Sequence, residues 1–251
     1  MMSRLRWFAL TLPFLFVSLA YAGGPEYPPT KNVSVSCVNA EGYFNLILKK
    51  GSRIKVTVTS HHLEPLRARI IHHTLYVRAP WLPPIQKRPV VTVTMPTLTR
   101  LVVNGPTNVR ADRLQSSGLS ILSLGWGNIQ LKGKMKVNHI VQRGQNYISL
   151  GWLDSSTLSI DSRGNGSLYL AGVAKMLYAR LAGNAILGAQ YLRANHIQVQ
   201  TQNNASAYVM PLNTLRAFAS GRANIYYYSY PKNLTRDTKQ SGNVLQMAWR
   251  E

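Results

Sequence analysis

Two adjacent histidine pairs, His61-His62 and His72-His73, are the residues in this sequence that most directly suggest chemistry. Imidazole binds zinc well, but neighbouring residues on an extended chain point to opposite faces, so neither pair can chelate from one side. Both pairs read as surface turns, and no metal is expected. The carboxylates are few: Glu26, Glu41, Glu64, Asp112, Asp154, Asp161, Asp237 and Glu251. A glycosidase needs two at a close, defined separation. Asp154 and Asp161 are the nearest pair in the solenoid half, and they need not meet. The serines offer no nucleophile elbow, and there is no phosphate-binding loop. No catalytic residue and no cofactor are therefore assigned. Asn32, Asn165, Asn204 and Asn233 begin glycosylation sequons. That leaves the tyrosines of "SGRANIYYYSYP", residues 220–231, whose meaning depends on which way each side chain points.

The direction follows from a period. Gly105, Gly125, Gly144, Gly164, Gly183, Asn203 and Gly221 are separated by 20, 19, 20, 19, 20 and 18 residues. Glycine enters the left-handed region without steric cost, and asparagine is one of the few others that visit it. Seven such residues at nearly fixed spacing predict seven copies of one bend. Four residues after each bend stand Val109, Ile129, Ile148, Leu168, Leu187, Ala207 and Ile225. Six after stand Ala111, Leu131, Leu150, Leu170, Ala189, Val209 and Tyr227. Positions two apart on a strand share a face, so these are two inward columns. Nine after stand Leu114, Lys134, Leu153, Val173, Leu192, Leu212 and Tyr230, which predicts an inward column beyond a corner, with Met135 in place of Lys134. Four before the bend the residues are apolar. Two before, Val103, Ser123, Gln142, Ser162, Leu181, Thr201 and Ala219 mix polar and apolar, as at a rim.

A repeat of about 20 residues without helical periodicity fits one coil of a parallel β-helix with two or three short strands. At about 4.8 Å per coil, seven coils make a rod roughly 30 Å long. The fold class is thus all-β, a parallel β-solenoid. On this register Tyr227 points inward and Tyr226 and Tyr228 point out. The column five after each bend reads Arg110, Gln130, Ser149, Tyr169, Gly188, Tyr208, Tyr226. Beside it run Asn108, Asn128, Tyr147, Ser167, Ile186, Ser206 and Asn224. The predicted ligand face therefore carries Tyr147, Tyr169, Tyr208, Tyr226 and Tyr228 with Arg110 and Gln130. Exposed aromatics among amides suit sugar rings or a protein partner, although in-sheet stacking for stability is the competing reading.

The period, the bends, the opening "VVTVTMPTLTRLVVNGPTNV" (residues 90–109) and the closing "SGRANIYYYSYPKNLTRDTKQSGNV" (residues 220–244) together resemble the GIN-domain family of autotransporter-adhesin heads. The resemblance implies an exported, β-helical, adhesin-like protein. The sequence departs from the pattern where Pro106 follows the first bend and where Asn203-Asn204 replaces glycine at the sixth.

Residues 33–96 are also strand-like, with turns at Lys50-Gly51-Ser52 and His72-His73-Thr74 and a stiff proline-rich loop at 80–89. Residues 23–97 are expected to form a β-rich cap or the first coils, since an open coil end would expose apolar side chains and unpaired backbone. Residues 98–251 are expected to form the solenoid and its closing strand. Residues 1–22 read as a signal peptide, with Arg4 and Arg6, an apolar run and Ala20-Tyr21-Ala22 before the cleavage site. Export to the periplasm, the outer-membrane surface or the medium is implied, with no transmembrane helix in the mature chain. The lone Cys37 forbids an internal disulfide. The formal charge of +21 becomes +19 when the leader's two arginines are removed, which favours polyanionic partners. The function expected is a non-enzymatic module binding a glycan, an acidic polymer or a cell-envelope protein. The alternatives are a polysaccharide-processing β-helix enzyme and a passive structural module.

Overall fold

In the computed structural model, residues 34–59, 66–81 and 88–248 are described. Residues 1–22, read above as a signal peptide, together with Asn32, His61, His62 and most of the proline-rich loop, lie outside them. The described residues form a parallel β-solenoid of about 7 turns. Its strands are β1 (Cys37–Glu41), β2 (Asn45–Lys50), β3 (Lys55–Thr59), β4 (Arg67–Ile71), β5 (Thr74–Arg78) and β6 (Val90–Met95). There follow β7 (Arg100–Gly105), β8 (Asn108–Ala111), β9 (Ser116–Gly125), β10 (Asn128–Gly144), β11 (Tyr147–Gly164), β12 (Ser167–Gly183) and β13 (Ile186–Thr201). The last are β14 (Ser206–Gly221), β15 (Asn224–Tyr227), β16 (Asn233–Gln240) and β17 (Asn243–Gln246).

The predicted bends stack in register: Gly144 lies between Gly125 and Gly164, and Gly164 beside Gly183. Six of the seven have positive φ, from 63° at Asn203 to 111° at Gly164. Gly125 is the exception, and there close approach is what excludes a side chain: a Cβ would lie 2.3 Å from the Gly105 carbonyl oxygen. The ladder is longer than the period indicated. Gly42 (φ 110°) continues it beside Gly105, and Gln240 (φ 60°) pairs with Gly221 at the other end. One place beyond the bends, Asn184 Nδ2 donates to Asn165 Oδ1 at 3.0 Å and Asn204 Nδ2 to Asn184 Oδ1 at 3.1 Å, so these asparagines form an amide ladder.

The columns four and six after each bend are buried throughout, including Tyr227. The column two before the bend, expected at a rim, is also buried throughout, polar members included. Ser162 Oγ donates to Gln142 Oε1 at 2.8 Å, and Gln142 Nε2 donates to the Asn146 carbonyl at 2.9 Å. At Gln142 and Ser162 the core satisfies polar side chains between coils instead of excluding them.

The column nine after the bend departs from expectation. Leu114, Leu153 and Leu192 are buried, and Met135 replaces Lys134 as expected. Val173, however, is 47% exposed, Tyr230 is 89% exposed, and Leu212 is half-buried. Ala174 and Pro211 take the inward places. At Val173 the cause is a bulge: Gly151 and Trp152 of β11 face the single residue Ala171 of β12, while Ala189 and Gln190 of β13 face Leu170 alone. An extra residue inverts the in-out alternation beyond it. A second slip occurs where two outward residues follow each other, as at Asn138-His139 and Ser156-Thr157. Each coil is therefore three-sided, and instead of separate short strands a single strand such as β11 runs through both corners. The first face follows the bend, the second is short, and the third leads to the next bend.

Chain order and spatial order differ at one end. β1 and β2 pair on one side with β7 and β8, and on the other with β5 and β6. The coil made later in the sequence thus lies outside the earlier one. β3 and β4 run antiparallel to β6 and β5 and cover that end. They place Lys55, Arg67 and Arg69 on an exposed edge, which discourages further strand addition. At the other end β16 and β17 lie against β14 and β15, and Arg236 packs over the Tyr227 ring while donating to its hydroxyl.

Candidate functional site

The first face is assembled as the register predicts. Arg110, Gln130, Ser149, Tyr169 and Gly188 stand opposite one another across β8, β10, β11, β12 and β13, and Gly188, Tyr208 and Tyr226 continue the row. Tyr147 and Tyr169 approach to 5.4 Å between centroids at 35°, and Tyr208 and Tyr226 to 4.9 Å at 18°. Gly188 does not break the strip. A Cβ there would lie 2.5 Å from Tyr169 Cδ1, so the ring of Tyr169 leans over the glycine. Burial pushes the Tyr208 phenol above its ordinary pKa, and the phenols of Tyr226, Tyr228 and Tyr169 add to the effect. It stays protonated and able to donate near neutral pH.

This packing limits what the strip can offer. Rings stacked along the solenoid axis turn their faces to each other and their edges and hydroxyls outward. Tyr147 and Tyr169 remain exposed, while Tyr208, Tyr226 and Tyr228 are half-buried. The first face is thus a line of phenolic edges continuing into the amides of Asn108 and Asn128, with Arg110 and Gln130 exposed beside them.

The third face carries a groove that the chemistry-first reading passed over. Five residues before successive bends stand Ser159, Tyr178, Gln198 and Arg216. Three before stand Asp161, Arg180, Gln200 and Phe218, and each set is in register across β11 to β14. Ser159, Asp161, Tyr178, Arg180, Gln198 and Gln200 line a depression of about 260 Å³. A second, of about 200 Å³, shares Asp161, Arg180 and Gln200 and has Ala182 on its wall. A third, also about 200 Å³, shares Gln200 and runs on to Asp237 and Lys239. The small side chains of Ala182 and Ser220, one place before their bends, open the space between longer neighbours. The same period that exposed the bends contains these two columns, so the signal was present in their planar and charged residue types.

Asp161 anchors one end of the groove. Arg143 Nη2 donates to its Oδ2 at 2.6 Å, and Arg163 Nε donates to its Oδ1 at 3.1 Å. Partial burial raises its pKa, but the hydrogen bonds and charges of Arg143 and then Arg163 outweigh that and hold it below the usual value. Asp154 sits across a corner on the second face, paired with Val173. The two acids are not brought together as an acid–base pair. Among the described residues no group of three or more metal-ligating side chains occurs. His72 and His73 form the β4–β5 turn, where His73 Nδ1 donates to the Ser34 carbonyl at 2.8 Å.

The model of one family, described as "Putative auto-transporter adhesin, head GIN domain", matches residues 35–231. No curated protein matches the chain. Among solved structures, a putative adhesin from Parabacteroides distasonis is similar at TM-score 0.76 and 18% identity, covering 85% of this chain and 93% of that one. A putative lipid binding protein from the same species reaches TM-score 0.74 at 14% identity, covering 92% and 100%. A putative adhesin from Parabacteroides merdae reaches 0.70 at 19% identity, covering 85% and 92%. At these identities the likeness establishes the fold. No helix among the described residues is long and apolar enough to cross a membrane.

Proposed function

The chain belongs to the auto-transporter adhesin head GIN domain family, and on that premise we propose that it is an exported, non-enzymatic binding module that holds a polar polymer, a glycan chain, along its third face. The observation that carries this reading is the row of three adjoining depressions running across the coils. Each is smaller than the roughly 300 Å³ typical of a pocket that encloses a small ligand. A ligand engaging all three must be extended, with one unit after another meeting the same planar side chains. Tyr178, Gln198, Gln200 and Phe218 supply amide hydrogen bonds and ring surface, the combination sugars require. The tyrosine strip of the first face contributes stability and an auxiliary hydroxyl-rich contact.

A glycan array probed with the mature chain and with Ala182→Trp tests the reading. Ala182 points outward, so the variant should fold normally, fill the groove and lose the glycans bound by the parent. A second variant, with Tyr169, Tyr208 and Tyr226 all changed to serine, should melt earlier yet retain them. Binding that survives Ala182→Trp and disappears in the tyrosine variant would move the site to the first face.

A further inference from the structure

We propose that the third-face groove selects a carboxylate-bearing sugar, and that the guanidinium of Arg180 is the group that binds the carboxylate. This inference rests on the reading of the groove as a glycan site and adds its ligand class. Asp161 stands directly opposite Arg180 in the ladder between β11 and β12, and it is the acid that would ordinarily neutralise it. Instead, both Asp161 oxygens are engaged by Arg143 and Arg163. Among the described residues the Arg180 guanidinium has no ion pair and no hydrogen bond, although it lines two of the three depressions. A fixed pair thus occupies the acid and leaves the neighbouring cation for a ligand.

The surroundings suit a sugar acid better than a bare anion. Arg180 is flanked within its depression by Tyr178, Gln198 and Gln200. A guanidinium presents two parallel donors to a planar carboxylate, and the adjacent amides can bind the hydroxyls of the same sugar ring. The groove's other charges agree. Arg163 lines the second depression and Lys239 the third, while Asp237 is the one further acid on the wall. A polymer carrying acidic groups along its length would therefore meet Arg163 and Arg180 on adjacent coils and Lys239 three coils further on. The net charge of the chain would attract such a polymer from a distance, and Arg180 would decide how it seats.

The test uses four carboxylated polysaccharides — oligogalacturonate, alginate, hyaluronan and polysialic acid — each compared with its methyl-esterified form. The esters keep the sugar and remove the charge. The expected result is that at least one acid binds the mature chain tenfold or more tighter than its ester. Arg180→Gln should erase that preference, and Arg180→Lys should restore part of it. Arg193→Gln, the same charge change outside the groove, should keep the preference. If acids and esters bind alike, and Ala182→Trp abolishes both, the glycan groove stands and the carboxylate assignment falls. If Arg193→Gln weakens the acids as much as Arg180→Gln, the attraction is general charge and the assignment again falls. If no polymer binds in either form, both readings fall.

Discussion

At the scale of single residues, two positions bear a cost that the rest of their columns avoid. Thr201 is 1% exposed, and its hydroxyl has no hydrogen-bond partner among the described residues. Its ladder neighbours are Leu181 and Ala219, which can offer none. Valine has nearly the same shape and no hydroxyl to leave unsatisfied, so Thr201→Val should stabilise the protein by about 1 kcal/mol in a denaturant titration. No change, or a loss, would mean that the hydroxyl finds a partner such as water. Trp152 is the second position. It has φ 63° and is 65% exposed at the corner where Gly133 and Gly172 hold positive φ on the adjacent coils. A bulky residue is strained there, while glycine is not. Trp152→Gly should therefore leave the melting temperature unchanged or raise it by a few degrees. A clear fall would show that the indole contributes packing that its exposure does not suggest.

At the scale of the coil, the inward and outward assignments predict an order of stability. Leu168 is fully buried at four residues past its bend, so Leu168→Ala should cost roughly 2–5 kcal/mol, whereas Gln130→Ala on the exposed row should cost less than about 0.5 kcal/mol. Chemical denaturation of both variants checks the ranking, and a reversal would place the alternation one residue out. This alternation was legible because the bends are chemically marked by glycine and the first face runs from them without interruption. It failed beyond the corner because a bulge adds a residue to one strand and not to its neighbour. Val173 came out exposed for that reason, whereas Tyr230 lies in the connection between β15 and β16, outside any strand. The polar members of the column two before the bend were misjudged because composition cannot tell a rim from a core in which side chains such as Gln142 and Ser162 bond between coils. The bend at Gln240 was missed because glutamine carries no turn signal. The candidate site was legible only in part. The tyrosine register could be read, but the stacking that turns the rings' faces toward one another is a matter of distance and angle.

At the scale of the molecule, the two ends of the solenoid are held differently. β1 and β2 lie between two other coils, each strand bonded on both sides. β16 and β17 are bonded on one side, to β14 and β15. A pull on the chain just before residue 34 must shear two parallel ladders together. A pull after residue 248 can peel one coil from the end and then the next. The rod is therefore mechanically polar: strong when loaded through its first strands and compliant when loaded through its last. Single-molecule pulling between a handle at Gln130 and either end of the described chain measures this directly, because forced unfolding reports the barrier to opening rather than the equilibrium stability. The amino-terminal side should rupture at the higher force, and equal forces would mean that the buried position of β1 and β2 adds no resistance. Under the function proposed above, tension entering through β1 would reach the groove across intact coils, and tension entering through β17 would unravel the far end first and lengthen the chain before the groove opened.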